Sequence, residues 1–435
     1  MTAPDPGQNP RSRRGGRSRR ALFAGAVGNF VEWYEFGVYG YFATIIATRF
    51  FTPEGGSEAE ALVRTYASFA LAFFFRPVGA ALFGRLGDRI GRRPVLVLVI
   101  VLMTVATTLI GTLPTYDTAG AAAPWLLTLL RALQGLSAGG EFGGAVSVMT
   151  EFAPAGRRGL YGAWQSFTVA LGLLGGAGMA ALLATLLSPG ELESWGWRLP
   201  FLLTLPLGLG VLWLRLRLDE TPAFRREHHE GTAPVRPPVR ETALAVALGA
   251  GRVMGWAAAG YTFLVVLPSY LQNSLDATFR QALLATVSAN LGFAVTILPA
   301  GWLSDRVGRR PVMLTGALSV TVLAIPLLNL LQDQGTSTAV KGVAVCAAGA
   351  VVGLMAGPGP AMLSEMFPTS VRYTGLGLAY ALSNAVFSGC AGLIITETIK
   401  RTGSVDIPAY YAAATCAVSA AALLTLRKSR VGVES

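Results

Sequence analysis

The stretch "GRLGDRIGRRP" at residues 84–94 returns as "GWLSDRVGRRP" at 301–311, displaced by 217 residues, half of a 435-residue chain. Gly84, Asp88, Arg89, Gly91, Arg92, Arg93 and Pro94 fall on Gly301, Asp305, Arg306, Gly308, Arg309, Arg310 and Pro311. A second echo, displaced by 214, links "TEFAPAGRRG" at 150–159 with "SEMFPTSVRYTG" at 364–375. Solenoid repeats are far shorter, roughly 20–50 residues. The repeated unit is therefore a whole bundle, and the chain reads as two halves.

Working outward, the chain is 52% hydrophobic and 14% charged. A soluble domain carries roughly a quarter charged residues, so water is not the main solvent. Twelve apolar runs of about 20 residues or more lie between residues 22 and 427, and a helix of that length spans a bilayer. The runs do not alternate as barrel strands do, which leaves helices. The fold class expected is an all-α polytopic membrane protein with twelve transmembrane helices in two six-helix bundles. Placed with its N-terminus inside, the chain puts 25 of its 35 Lys and Arg on the cytoplasmic side. That bias sets both termini in the cytoplasm.

The organisation expected is a basic, disordered tail at 1–20, bundles at 21–217 and 242–427, a cytoplasmic linker at 218–241 and a short tail at 428–435. The net charge of +11 sits in the first tail and in short loops, which suits a lipid surface rather than nucleic acid. Both histidines, His228 and His229, lie in the linker, and Cys346, Cys390 and Cys416 have no metal or pairing pattern. No metal, organic cofactor or obligate protein partner is expected; the partners are a small-molecule substrate and the bilayer.

The ionisable groups deep in the spans are Glu32, Glu35, Arg76, Arg131, Glu141 and Arg252. Charge at that depth costs at least ~2.5–3.5 kcal/mol each on insertion scales, so these groups should face the interior and compensate one another. Through the repeat, Arg76 maps to Phe293, Arg131 to Val345 and Glu141 to Met355, so the fold does not require charge there. Glu32 and Glu35 share a helix face. Arg76 is expected to hold one of them ionised, while desolvation beside a like charge favours the protonated form of the other. No histidine lies in a span, so carboxylates must carry a coupling proton. Arg131, Gln134, Ala138 and Glu141 line one helical stripe. Arg252, alone in the second half, is expected to face the acids across the cavity and anchor a carboxylate.

The motif G-x-x-x-D-R-x-G-R-R resembles the signature loop of the major facilitator superfamily. "GNFVEWYEFGVYG" (28–40), "RALQGLSAGGEFGGA" (131–145), "GWRLPF" (196–201), "DETPAF" (219–224) and "EMFPTSVRYTG" (365–375) resemble its metabolite:proton symporter branch. The branch includes carriers of proline and betaine, 2-oxoglutarate, citrate and shikimate; "PSYL" (268–271) and "PAYY" (408–411) lean towards proline/betaine members. Most relatives carry Asp where this chain has Glu35. The resemblance implies a plasma-membrane symporter that works by alternating access. It implies a gate built from Gly84, Asp88, Arg92, Arg93, Asp305, Arg309 and Arg310, in which an Asp caps a facing helix N-terminus and pairs with arginines. It links Arg131 with proton coupling, and Glu141 belongs to this branch; with Glu32, Glu35 and Arg76, argued above from burial and charge, they form the expected proton-coupling set.

A betaine needs a carboxylate anchor and an aromatic wall for its ammonium group. Trp33, Tyr34, Tyr39, Trp164, Tyr261 and Tyr380 are wall candidates. Asn29, Trp33, Tyr39, Arg76, Gln134, Arg252 and Tyr261 form the expected substrate set. Matched acids and bases suit a zwitterionic osmolyte such as proline or glycine betaine. A carboxylate symporter and a non-transporting solute sensor stay open. The chain shows no nucleophile–base pair in its spans, so an enzyme is not expected. It stops about eight residues beyond the last span, so osmotic activation through a long coiled coil is not expected either.

Overall fold

The computed structural model describes residues 10–52, 57–90, 92–151, 153–217 and 238–426. Among them, twelve long helical runs follow one another and no strand occurs. Helix α1 is Pro10–Tyr41, prolonged by Ala43–Ile46 and a π turn at Ala47–Phe51. Helices α2 (Glu58–Ile90) and α3 (Arg92–Thr112) come next. Helix α4 runs Ala122–Ala138 and resumes as Phe142–Glu151. Helices α5 (Arg158–Leu186) and α6 (Leu199–Leu216) complete the first half.

The second half opens with α7, made of Val239–Tyr261, a π turn at Thr262–Val266, and Leu267–Leu275. Helices α8 (Phe279–Val307) and α9 (Arg309–Gln332) are continuous. Helix α10 runs Thr338–Ala356 and resumes as Gly359–Glu365. Helix α11 joins Thr369–Ser383, a π turn at Asn384–Gly389 and Ala391–Thr402, and α12 is Ile407–Leu424.

Ten of these runs are long and apolar enough to cross a membrane by length and composition. The other two are α1, which carries Glu32 and Glu35, and the interrupted α4, which carries Arg131 and Glu141. Helix α1 begins at Pro10, so the basic stretch expected to be disordered is helical from there. The linker from 218 to 237, with both histidines, lies outside the described residues.

The repeat seen in the sequence returns as matched contacts. Gly135 on α4 lies so close to α2 that a Cβ would overlap the Ala72 carbonyl; Gly349 on α10 lies likewise on the Ala289 carbonyl of α8. Gly139 lies likewise on the Arg76 carbonyl, and Gly353 lies more loosely between the Phe293 carbonyl and Thr296. Each pair maps onto its counterpart by the sequence displacements of 214 and 217. Without water to drive helices together, close backbone approach at small residues supplies the association. The halves meet where α5 packs along α8, α2 against α11, and α1 against α7 and α8.

Candidate functional site

Between the halves, Trp33, Trp256, Tyr261, Phe293, Tyr380, Asn384 and Ser388 converge on a cavity of about 30 Å³, close to one water's share of liquid volume. Trp33 and Tyr261 lie 6.2 Å apart by ring centroid, and Trp256 and Tyr380 lie 5.7 Å apart. The Tyr261 hydroxyl is buried with no hydrogen-bond partner. Phe293, the repeat counterpart of Arg76, supplies an apolar wall where the first half has a cation.

Directly behind Trp33 and Tyr261 stands the charged layer. Arg76 Nη2 is 3.2 Å from Glu32 Oε1, with both side chains buried. The guanidinium of Arg76 also lies over Phe36, Phe73 and Trp33 at 4.3, 4.5 and 5.3 Å. Arg131 lies over Tyr39 at 4.1 Å and on the other side of the aromatic cluster from Arg76, 5.0 Å from Phe36. These rings stand in for solvent around two cations that lipid would not accept. Arg76 Nε, and Nε and Nη2 of Arg131, are buried without a hydrogen-bond acceptor.

Glu35 is not paired with an arginine. Its Oε2 accepts from Thr107 at 2.7 Å, while Oε1 is buried with no partner. Gln134 Nε2 donates to Thr107 at 2.6 Å, and Arg131 Nη1 donates to Gln134 Oε1 at 2.6 Å. An unbroken chain of hydrogen bonds thus connects Arg131 to Glu35 through Gln134 and Thr107. Glu141 pairs with Arg215 of α6, and both are buried.

The expected residues therefore divide. Glu32 and Arg76 come together as predicted from their depth, and Arg131, Gln134 and Glu35 join through Thr107. Trp33, Tyr261 and Tyr380 line the cavity. Arg252 does not face it: its Nη2 donates to Thr425 Oγ1 at 2.9 Å and its Nε to the Ala422 carbonyl at 3.4 Å. It ties α7 to the last turn of α12 instead. Asn29 also turns away, tying α1 to α5 through the Gln165 carbonyl and Thr168 Oγ1. Tyr39 bonds Ser68 at 2.6 Å and carries Arg131 rather than facing the cavity. Tyr34 donates to the Pro200 carbonyl, and Trp164 is 46% exposed on the outer surface.

At the end of the bundles where the repeated loop motif lies, Asp305 Oδ1 and Oδ2 accept from the backbone N–H groups of Gly159 and Leu160 at 2.7 and 2.9 Å. This caps the first turn of α5, where the helix dipole favours an anion. Arg309 reaches Asp305 at 2.6 Å and Glu365 at 2.9 Å, and Arg310 donates to the Leu426 carbonyl at 3.3 Å. Gly84 is helical within α2; the side chains of Asp88, Arg92 and Arg93 lie outside the described residues, as does Gly91. At the opposite end, Tyr66 bonds Ser269 at 2.7 Å, and the rings of Tyr66 and Phe73 lie on Gly392 and Gly389, so the halves are in contact at both ends among the described residues.

Sequence reasoning missed Thr107, Arg215 and the lining residues Trp256, Asn384 and Ser388. Thr107 carried no signal, since a lone Thr in a span ordinarily bonds its own helix. Arg215 had one: an arginine inside the last turn of a span needs an acid at its depth.

The chain resembles known transporters along nearly its whole length. Residues 21–236 match the family model described as sugar (and other) transporter, and 248–434 match that of the Major Facilitator Superfamily. The glycine betaine/proline/ectoine/pipecolic acid transporter OusA of Dickeya dadantii is 35% identical over 91% of this chain and 80% of its own. The proline/betaine transporter of Escherichia coli K12 is 34% identical over 91% and 81%. The ectoine/proline transporter ProP of Corynebacterium glutamicum is 35% identical over 94% and 84%. Among solved structures, the partially occluded, inward-open xylose transporter XylE of E. coli superposes with a TM-score of 0.74 at 19% identity, covering 95% of this chain and 99% of that one. This multi-pass membrane protein belongs to the major facilitator superfamily, in the same family as these proline/betaine transporters.

Proposed function

We propose that this chain is a proton-coupled symporter of the cell membrane that imports a small zwitterionic osmolyte such as proline or glycine betaine by alternating access. The observation that carries this reading is the aromatic cavity at the interface of the halves, backed by an ion pair and two guanidiniums with unused N–H groups. Trp33, Trp256, Tyr261 and Tyr380 offer π faces to an ammonium group. The free donors of Arg76 and Arg131 suit a carboxylate, once the walls part to admit a solute. The names of the nearest relatives among the proline/betaine transporters support the same class of cargo.

The proton role falls to the two α1 carboxylates. Glu32 has Arg76 as counter-ion, and a substrate carboxylate would compete with it for that arginine. Glu35 accepts only from the Thr107 hydroxyl and leaves Oε1 without a partner, so a proton can be taken up there without breaking an ion pair. Both termini face the cytoplasm on the basic-residue bias, and no catalytic chemistry on the solute is proposed.

Uptake of labelled proline, betaine, 2-oxoglutarate, citrate and shikimate into proteoliposomes, with and without an inward proton gradient, tests the reading. Accumulation of proline or betaine that collapses without the gradient is expected. Accumulation independent of pH removes the coupling, and preferential uptake of a dicarboxylate or tricarboxylate moves the protein to that class.

A further inference from the structure

Helix α4 is interrupted between Ala138 and Phe142, and α10 is interrupted about one turn further along than the repeat would place it, between Ala356 and Gly359. In α10 the sequence "GPGP" at 357–360 explains the break, because proline removes an N–H donor and crowds the preceding turn. Helix α4 has no proline there. It has Gly139, Gly140 and Glu141. The Glu141 carboxylate is ion-paired with Arg215, and the two side chains are only 7% and 4% exposed. Arg215 Nη1 also donates to the Leu96 carbonyl of α3 at 2.8 Å, and Gly28 of α1 sits against both charged groups with no room for a Cβ. Four helices of the first half meet at this pair.

A buried ion pair is weak as a source of stability, and apolar replacement is often neutral or better. The repeat counterpart Met355 is such a residue, fully buried in the second half. The pair therefore has another use, and its neighbour shows which. Phe142 lays its ring flat on Tyr380 of α11, with centroids 3.5 Å apart and planes 5° from parallel. Gly143 and Gly377 allow the two helices to approach there. Tyr380 is a wall of the central cavity and packs on Trp256. Phe142 lies nine residues before the inner end of α4, ~14 Å at 1.5 Å per residue, so it stands on the cytoplasmic side of that wall.

We infer that Phe142 is the positioning residue of the cavity and its inner door: the break in α4, anchored by Glu141 and Arg215, delivers a ring that holds Tyr380 against Trp256 and shuts the cavity towards the cytoplasm. Gly139 sits on the Arg76 carbonyl, so movement of Arg76 reaches the break directly. The inference rests on reading the cavity as the substrate site, but its test needs no substrate.

The test uses the full chain with its three cysteines replaced and Ala257→Cys as a reporter on the cavity wall. A membrane-impermeant thiol reagent is applied to right-side-out and inside-out vesicles. Phe142→Ala should speed labelling from the cytoplasmic side about tenfold, the upper range of what one aromatic stack contributes, with no change from outside. Phe142→Tyr should label at the parental rate. Glu141→Gln should act like Phe142→Ala, and exchanging the charges in Glu141→Arg with Arg215→Glu should restore slow labelling. Parental labelling from the cytoplasm in Phe142→Ala overturns the inference, as does faster labelling from both sides. A different cargo in the uptake assay leaves these rates unchanged and counts against the functional reading alone.

Discussion

Arg76 Nη2 stands 3.2 Å from Glu32 Oε1, so the arginine of α2 has chosen the first of the two α1 acids and left Glu35 to hydrogen bonds. The two carboxylates, one helical turn apart, are in different chemical situations. Removing one partner of a buried pair costs about 3–5 kcal/mol because the other is left uncompensated. Arg76→Gln should therefore lower the melting temperature more than Glu32→Gln with Arg76→Gln together. Equal losses in the two proteins would mean that the pair is not coupled.

Transport separates the acids further. Glu32→Gln and Glu35→Gln should each abolish concentrative uptake, while one of them still permits solute exchange across a membrane without a gradient. Counterflow of labelled solute measures this. Full accumulation by both variants would remove the carboxylates from coupling.

Thr107 is the link between Glu35 and Gln134, with bonds of 2.7 and 2.6 Å. Thr107→Val keeps the shape and leaves two buried polar atoms unsatisfied, at about 1–3 kcal/mol each. A lower melting temperature and a displaced pH profile of uptake are expected, and Thr107→Ser should restore both. An unchanged pH profile in Thr107→Val would show that the chain of hydrogen bonds plays no part in proton movement.

Cation–π contacts with a desolvated ammonium are worth about 0.5–2 kcal/mol each. Trp33→Leu should therefore raise the KM for betaine by about two- to thirtyfold. Uptake of a solute lacking a cationic group should change less. Equal changes for charged and uncharged solutes would reduce Trp33 to packing.

Gly135→Ala places a methyl group into the Ala72 carbonyl, and Gly349→Ala does the same at Ala289. Each should destabilise by about 1–3 kcal/mol, the usual cost of overpacking. Gly178, on the same bundle, has no atom within 4 Å of its would-be Cβ, so Gly178→Ala should leave thermal unfolding in detergent unchanged or slightly raised.

The architecture was legible because lipid leaves so few options: length, hydropathy and the displaced repeat already imply two six-helix halves. The repeat returns in the helix contacts, where Gly135 and Gly349 occupy matching places. Depth brought Arg76 to the level of the two α1 acids, but not to Glu32 in particular. Arg252 misled because depth says nothing about which way a side chain turns; it turns towards α12 and meets Thr425 and the Ala422 carbonyl. Glu141 found its partner in Arg215, which lies in the last turn of α6 and inside the expected bundle, but was not among the membrane charges weighed from sequence. The hydrogen bonds of Thr107 depend on how α1, α3 and α4 rotate against one another, and no pattern within one helix encodes that.

The π turns in α1, α7 and α11 lie at Ala47–Phe51, Thr262–Val266 and Asn384–Gly389. Each inserts a surplus residue into a coil otherwise wound at 3.6 per revolution. Sliding that surplus along the coil swivels the intervening residues by about 100° without undoing the backbone ladder. Three interfacial rods thus carry built-in slack, so residues facing Asn384 and Thr262 can exchange neighbours while the rods themselves stay whole.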